Sequence, residues 1–219
     1  MTKVSGRLNR LAESATLAMA RMSRELQAKG INIIALSLGE PDFDTPEFIK
    51  EAAKKAIDDN FSHYTPVPGL PELRSSISAK FKRDNHLEYT PDQIVVSTGA
   101  KQSLANVCLS LLDPEDEVLL PCPYWVSYAE IIKLAEGVPV EIKSTIDSDF
   151  KITPSQLEAS ITSRTKMIMF SSPCNPSGTV YTQSELEAIA KMLDKYPNIY
   201  IVSDEIYEHI NFTDKHYSI

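Results

Sequence analysis

The sequence predicts an α/β fold built on a doubly wound, mainly parallel sheet, because two features of the chain point the same way. From Gln93 onward, short apolar runs alternate with segments of helical periodicity, which is the pattern of strands joined by crossover helices. The 219 residues are 42% apolar and 24% charged, which is typical of a globular chain with a sizeable core. In sheets of this kind, ligands bind at the carboxyl ends of the strands.

The residues before Gln93 are predicted to form helices joined by proline-containing loops. An amphipathic segment that starts at Ser14 ends at Gly30, a residue type that commonly follows helices. Thr45 precedes Pro46, and proline favours the first position of a helix. The expected elements are a helix over 14–30, a short apolar strand that begins at Ile33, a helix over 47–60 and a helix over 71–83.

Beyond Gln93 the alternation is regular, and a helical segment follows each apolar run. The strands are expected at QIVVS (93–97), EVLLP (117–121), VPVEI (138–142), KMIMFS (166–171) and IYIVS (199–203). The helices are expected over 101–112, 124–135, 154–161 and 182–194. Because no repeat or linker divides this stretch, we expect one sheet with helices on both of its faces.

Composition and motif content argue against several classes of function. The 22 Lys+Arg and 30 Asp+Glu give a net charge of −8, which disfavours a nucleic-acid partner. No apolar run reaches the roughly 20 residues of a membrane span, and Met1–Arg10 has no export-signal core. We therefore expect a cytoplasmic protein with no membrane partner. Three cysteines are too few for a disulfide scaffold, and the four histidines lack the spacing of a metal site.

The segment STGAKQS places Gly99 directly before a helix that begins at Ala100 and Lys101. Unpaired backbone N–H groups and the helix dipole at such a start suit a phosphate. A plain strand-to-helix turn is the simpler interpretation of this segment taken alone. The spacing of a P-loop is absent, and so is the G-x-G-x-x-G pattern of a dinucleotide site.

Three other residues have functional and structural interpretations that the sequence leaves open. Asn175 lies between prolines, so it is either a rigid hydrogen-bond donor or a turn former. Trp125, the only tryptophan, is a cofactor contact or a core residue. Cys174 has the chemistry of a nucleophile, but no base is placed beside it, and a small buried filler is the favoured interpretation.

An acidic residue, Asp204, stands at the carboxyl end of the apolar run IYIVS. A carboxylate at this position needs a partner, such as a protonated ring nitrogen or an arginine. Tyr207, three residues further on, is expected to reach the same neighbourhood.

Taken in order, five segments resemble those of the class I aminotransferases, which are fold-type-I pyridoxal-phosphate enzymes. The segments are SLGEPDFDTP, STGAKQS, PCPYWVSY, SSPCNPSGT and SDEIYEH. The resemblance covers essentially all 219 residues and is closest to the bacterial aspartate aminotransferase subgroup. It implies the large domain of that fold and pyridoxal 5'-phosphate as the cofactor.

The resemblance implies roles for residues at the phosphate end of the cofactor and at the substrate. Gly99, Ala100 and Lys101 match the helix start that binds the phosphate. Tyr64 matches a tyrosine that reaches the phosphate of the neighbouring subunit, which implies a homodimer. Gly39 matches a glycine whose backbone meets the substrate α-carboxylate.

The resemblance also implies roles around the cofactor ring. Trp125 matches the aromatic residue that stacks on the ring, and Asp204 matches the partner of the ring nitrogen. Asn175 and Tyr207 match the two donors to the phenolic oxygen. Asp204, Tyr207 and Trp125 are thus the expected catalytic residues, and Trp125 and Asn175 are also expected to contact the substrate. The family often has cis peptide bonds beside such residues, so we expect them at Cys122–Pro123 and Asn175–Pro176.

One family feature has no match in this chain. Family members carry a Schiff-base lysine shortly after the Asp-x-x-Tyr segment, but Lys215 is too close to Tyr207 and lacks the family context. We therefore expect that lysine beyond Ile219. The expected organisation is an N-terminal arm and helix over 1–40 and, over 41–219, a large domain that is incomplete at its C-terminal side, with the small C-terminal domain absent. This chain alone is then expected to be inactive.

The resemblance implies transamination, with L-aspartate and 2-oxoglutarate as the favoured amino donor and acceptor. Two alternatives stay open. Another pyridoxal-phosphate enzyme on the same fold, a lyase or a synthase, has the same residues around the cofactor and a different product. A non-catalytic fragment binds no cofactor at all.

Overall fold

The computed structural model describes residues 4–12, 15–36, 39–212 and 215–219. The helices are α1 (Gly6–Asn9), α2 (Ala15–Ala28), α3 (Glu47–Asp58), α4 (Pro71–Lys80), α5 (Ala100–Leu111), α6 (Ser127–Leu134), α7 (Pro154–Ala159) and α8 (Gln183–Leu193). The strands are β1 (Glu117–Pro121), β2 (Val138–Ile142), β3 (Thr165–Ser171) and β4 (Tyr200–Asp204). A π-helical turn, Phe81–Asn85, follows α4, and short 3₁₀ turns lie at Pro91–Gln93 and Ile146–Ser148.

The chain divides into two compact units. The sheet unit comprises Met1–Ala12, Ala79–Tyr89 and Val96–Ile219, and the helical unit comprises Glu13–Ser78 and Thr90–Val95. The division that the sequence suggests at residue 40 stays a prediction.

The four strands form one parallel sheet in the order β2-β1-β3-β4. Leu119 of β1 lies between Val140 of β2 and Ile168 of β3, and Met167 of β3 pairs with Tyr200 of β4. Because all four strands are parallel, their carboxyl ends meet at one edge of the sheet. The expected α/β architecture is confirmed.

Alternate residues of the strands supply two hydrophobic clusters. Val118 and Leu120 of β1 belong to a cluster that also contains Leu104 of α5 and Ile132 of α6. Leu119, between them, belongs to a second cluster that contains buried residues of α7 and α8. Since successive side chains of a strand point to opposite faces, the two clusters cover the two faces of the sheet, as a doubly wound fold requires.

Two strands expected from the sequence are not strands in the structure. Residues 33–36 form no strand, and Ile34 and Leu36 are 84% and 90% exposed; Ser37 lies outside the described residues. Residues 93–97 pair with no described strand and begin in a 3₁₀ turn. An apolar run becomes a strand only when a neighbouring strand accepts its backbone hydrogen bonds, and the described residues supply no such neighbour.

The expected helices are present, with ends set by their caps. The Thr153 and Thr182 hydroxyls accept hydrogen bonds from the Gln156 and Glu185 amides, which fixes the starts of α7 and α8. Helix α6 begins at Ser127, three residues later than expected. Among the described residues, every helix is too short or too polar to cross a bilayer.

Both expected cis peptide bonds, Cys122–Pro123 and Asn175–Pro176, are confirmed. A third, Ser172–Pro173, was not anticipated from the sequence.

Candidate active site

A pocket of about 140 Å³ opens at the carboxyl edge of the sheet, between the ends of β3 and β4 and the start of α5. Eight residues line it: Ala100, Trp125, Tyr128, Ser171, Asn175, Asp204, Ile206 and Tyr207. Five of the expected site residues are among them, contributed by four separate segments of the chain. The fold therefore brings together residues that lie up to 107 positions apart in the sequence.

Asp204 is the last residue of β4, where it pairs with Ser171 of β3. Its carboxylate accepts hydrogen bonds at both oxygens, Oδ2 from the Tyr128 hydroxyl at 2.7 Å and Oδ1 from the Ile206 amide at 3.2 Å. Both donors are neutral, and none of the eight lining residues is basic. The carboxylate is thus oriented by its partners, and no basic side chain of the lining neutralises its charge.

Asn175 and Tyr207 approach each other from neighbouring loops. The Asn175 Nδ2 lies 3.4 Å from the Tyr207 hydroxyl, and the Asn175 amide lies 3.4 Å from Ser171 Oγ, to which it donates. The Gly178 backbone amide donates a hydrogen bond to the Cys174 carbonyl at 2.7 Å, which closes the turn that carries Asn175. The pair presents two polar groups to one side of the pocket, where they can donate to an acceptor on a ligand.

Trp125 contributes an aromatic surface and is half-buried. Its ring meets the Tyr128 ring edge-on, with centroids 5.7 Å apart and an interplanar angle of 90°. The Lys101 Nζ lies 4.8 Å from the centroid of the Trp125 ring, within cation–π range. Trp125 therefore packs partly on the core, as the structural interpretation predicts, and also lines the pocket.

The start of α5 has the features of an anion site. Gly99 adopts φ 88° and ψ 159° directly before the helix, and its carbonyl accepts hydrogen bonds from the Gln102 and Ser103 amides. The amides of Ala100 and Lys101 precede these and have no carbonyl partner within the helix. Together with the positive end of the helix dipole they can bind a phosphate group.

A polar network holds the turn that carries Tyr207. Glu208 accepts hydrogen bonds from the Lys80 ammonium at 2.5 and 2.6 Å and from Asn85 at 3.2 Å. The Glu205 Oε2 lies 3.1 Å from the His216 Nε2, within hydrogen-bond distance. Burial alone raises the pKa of Glu208, but the hydrogen bonds and the charge of Lys80 lower that pKa overall.

The same network contains ligand atoms of a conceivable metal site. Oxygen or nitrogen atoms of Glu205, Glu208 and His216 lie within 4.8 Å of one another. Lys80 already contacts both carboxylate oxygens of Glu208 and supplies the positive charge. The cluster therefore has the character of an ion-pair network that fixes the turn.

Two expected site residues belong to the helical unit. Gly39 and Tyr64 are both exposed there, Tyr64 completely. Their expected roles stay predictions.

Sequence reasoning missed Tyr128, Ser171 and Ile206, which line the pocket beside the expected residues. A signal for Tyr128 was present, since it lies in PCPYWVSY three positions after Trp125. The sequence places both residues in the expected helix over 124–135, where residues three apart share a face, and a carboxylate such as Asp204 requires a donor. Ser171 and Ile206 line the pocket because both lie beside Asp204. Ser171 pairs with it on the neighbouring strand, and Ile206 follows it by two residues in the sequence.

Comparison with known proteins gives a consistent match. Residues 31–219 match the family model described as aminotransferase class I and II. The aspartate/prephenate aminotransferase of Cereibacter sphaeroides is 49% identical over 214 residues, which are 98% of this chain and 54% of that protein. The aspartate/prephenate aminotransferase of Nitrosomonas europaea is 51% identical over 208 residues, which are 95% of this chain and 52% of that protein.

The fold is also that of a solved enzyme. The aspartate aminotransferase of Thermus thermophilus, in its structure with maleate, superposes on this chain with a TM-score of 0.95 at 43% identity. The match covers 100% of this chain and 57% of that one. The chain thus spans about half the length of the relatives it matches.

Proposed function

The chain belongs to the class I and II aminotransferase family, and on this basis we propose that its pocket is the cofactor site of a pyridoxal-phosphate-dependent aminotransferase. The observation that carries the proposal is Asp204, which lines a pocket with Trp125, Asn175 and Tyr207 and accepts hydrogen bonds from two neutral donors, the Tyr128 hydroxyl and the Ile206 amide. A carboxylate in such a setting suits a ligand that brings its own positive charge.

The donors and acceptors of the pocket fit pyridoxal 5'-phosphate group by group. Asp204 offers a negative charge to a protonated ring nitrogen, and Trp125 offers an aromatic surface to the ring. Asn175 and Tyr207 offer donors to the phenolic oxygen. The start of α5 at Gly99, with the following two amides, offers a site to the phosphate.

Each residue then has a defined task in transamination. Pyridoxal phosphate, when bound, supplies the ring that accepts electrons as the bond between Cα and hydrogen of the amino acid breaks. Asp204 keeps the proton on the ring nitrogen, which makes the ring a better electron acceptor. Asn175 and Tyr207 stabilise negative charge on the phenolic oxygen, and Trp125 fixes the plane of the ring.

We propose aspartate as the amino donor and a 2-oxo acid as the acceptor, either 2-oxoglutarate or prephenate. The two relatives described above are named aspartate/prephenate aminotransferases. The Thermus structure contains maleate, a dicarboxylate like aspartate. These names favour transamination over the lyase and synthase alternatives, which would leave the same residues around the cofactor.

The organisation of the whole protein is also a proposal. By resemblance, it is a homodimer in which Tyr64 reaches the partner's cofactor and Gly39 meets the substrate carboxylate. By the same resemblance, no lysine of this chain has the context of the covalent lysine, so the chain alone is proposed to be inactive. A reducing, cytoplasmic location is proposed as well, because the three cysteines of the sequence are too few for a disulfide scaffold.

The test uses a full-length protein, meaning a protein of the relatives' length that contains these residues. Asp204→Ala is expected to fold and to lose transamination activity by orders of magnitude, because the electron-accepting ring loses its partner. Asp147→Ala removes an exposed carboxylate and serves as the control. Near-normal turnover of Asp204→Ala would overturn the proposal.

A further inference from the structure

We propose that Tyr128 is a positioning residue that holds Asp204 with its hydroxyl and Trp125 with its ring. The inference rests on the proposed function, since it concerns how the same pocket is kept ready for the cofactor. The roles proposed for Asp204 and Trp125 do not by themselves require that a single residue, Tyr128, position both side chains.

The geometry joins the three side chains directly. Tyr128 is the second residue of α6, and its amide donates to the Trp125 carbonyl at 2.9 Å. Its hydroxyl donates to Asp204 Oδ2 at 2.7 Å, and its ring meets the Trp125 ring edge-on at 5.7 Å. Tyr128 is 1% exposed, so the surrounding core fixes its position.

The direction of the hydrogen bond follows from the chemistry of the pair. Burial and then the negative charge of Asp204 raise the pKa of Tyr128, so its hydroxyl stays protonated and donates. A neutral donor orients the carboxylate and leaves its charge available, whereas a lysine or arginine in that place would compete with a protonated ring nitrogen. The lining contains no such basic residue.

Removal of the hydroxyl has a specific consequence. In Tyr128→Phe, Asp204 Oδ2 loses its 2.7 Å donor, while the edge-on contact with Trp125 remains. The carboxylate is then less well oriented toward the ring nitrogen. The phosphate end of the site, at Gly99, is unaffected because it lies on another element.

The experiment compares two ligands in the full-length protein. Binding of pyridoxal phosphate and of its 1-deaza analogue, in which C–H replaces the ring nitrogen, is measured by spectrophotometric titration, together with kcat and KM. Tyr128→Phe is expected to weaken pyridoxal phosphate binding roughly tenfold, as expected when a hydrogen bond to a charged group is lost, and to leave the analogue unaffected. The kcat is expected to fall while KM for the amino acid stays near the wild-type value.

Tyr181→Phe is the matched control. Tyr181 is also buried, and its hydroxyl accepts a hydrogen bond from the Ile152 amide at 3.0 Å, outside the pocket. This variant is expected to bind both ligands as the wild type does. Tyr128→Met removes both the hydroxyl and the ring and is expected to give a larger loss of affinity for pyridoxal phosphate. Either Tyr128 variant, if folded, therefore tests the positioning role.

The outcomes separate this inference from the proposed function. If the wild-type protein does not bind pyridoxal phosphate, the proposed function is wrong. Asp204→Asn is expected to weaken binding of pyridoxal phosphate but not of the 1-deaza analogue. If it does so, and the Tyr128 variants bind both ligands as tightly as Tyr181→Phe does, only the role of Tyr128 is overturned.

Discussion

At the scale of single residues, Gly99 is the position whose backbone is most closely tied to the site. Its φ of 88° and ψ of 159° lie in a region that is essentially restricted to glycine. A Cβ at this position would meet no atom within 4 Å, so the restriction comes from the backbone conformation. Any other residue must therefore change the start of α5, where we propose that the phosphate binds.

Gly99→Ala tests this point. The strain of roughly 1–3 kcal/mol is expected to shift the first amides of α5 and to weaken pyridoxal phosphate binding. Pyridoxal, which has no phosphate, is expected to bind as before, and titration of both ligands measures the difference. Gly6→Ala, at an open position in α1 without a positive φ, is the control. An equal loss of affinity for both ligands would argue against a phosphate site at this helix.

The residues of the site differ in how well the sequence predicts them. Asp204 stands out in the sequence because a carboxylate at the end of an apolar strand needs a partner, whereas Gly99 taken alone indicates only a strand-to-helix turn and its expected role comes from the resemblance. The spacing from Trp125 could place Tyr128 near the site but could not identify its bond to Asp204, since that partner lies 76 residues away and becomes a neighbour only in the folded sheet. Local sequence patterns do not show which distant segments of the chain come into contact in the fold.

At the scale of elements, local signals predict helices better than strands. Thr153 and Thr182 are recognisable caps, so α7 and α8 begin within one residue of the expected positions. The runs at 33–37 and 93–97 resemble strands in composition, but a strand also needs a partner that the sequence pattern cannot identify. The four strands that do form lie side by side in one sheet.

A buried carboxylate at the start of β1 connects this strand to the residues that directly precede β3. Glu117, at the start of β1, has a side chain that is 5% exposed and accepts hydrogen bonds from Arg164 at 2.6 and 3.0 Å. Its other oxygen accepts from the Thr162 hydroxyl at 2.5 Å. The hydrogen bonds from Thr162 and Arg164 hold the pKa of Glu117 below its ordinary value, despite burial.

A lowered pKa in the folded state means that this carboxylate stabilises the fold only while it is ionised. Its contribution is fully present above the unfolded-state pKa, about 4.3 for Glu, and is lost as pH falls through the lower folded-state value. Glu117→Gln is expected to lower the free energy of unfolding by roughly 1–3 kcal/mol at neutral pH. The difference from wild type should shrink in acid, as denaturant unfolding at several pH values will measure.

Glu88→Gln is the control for this pair. Glu88 forms an exposed ion pair with Lys82, and the solvent screens such pairs. This variant should stay close to wild type at every pH. A Glu117→Gln protein that is as stable as wild type at neutral pH would contradict the role of the buried Glu117 carboxylate.

At the scale of the whole molecule, the proposed dimer makes a prediction that a single chain cannot test. Tyr64→Phe subunits and Asp204→Ala subunits of the full-length protein are mixed and allowed to exchange. If Tyr64 acts in the partner's site, each mixed dimer has one site with both defects and one intact site. An equal mixture should then recover roughly a quarter of wild-type activity, because about half of the dimers are mixed. Activity no higher than the mean of the two variants would show that Tyr64 acts within its own subunit or not at all.

The most direct test of the central claim is a crystal structure of the full-length protein with pyridoxal phosphate. The account predicts the phosphate at the start of α5, beside Gly99, and the ring nitrogen within hydrogen-bond distance of the Asp204 carboxylate. The Tyr128 hydroxyl is expected to keep its bond to the other side of that carboxylate. A cofactor bound elsewhere, or one whose ring nitrogen faces away from Asp204, would contradict the account.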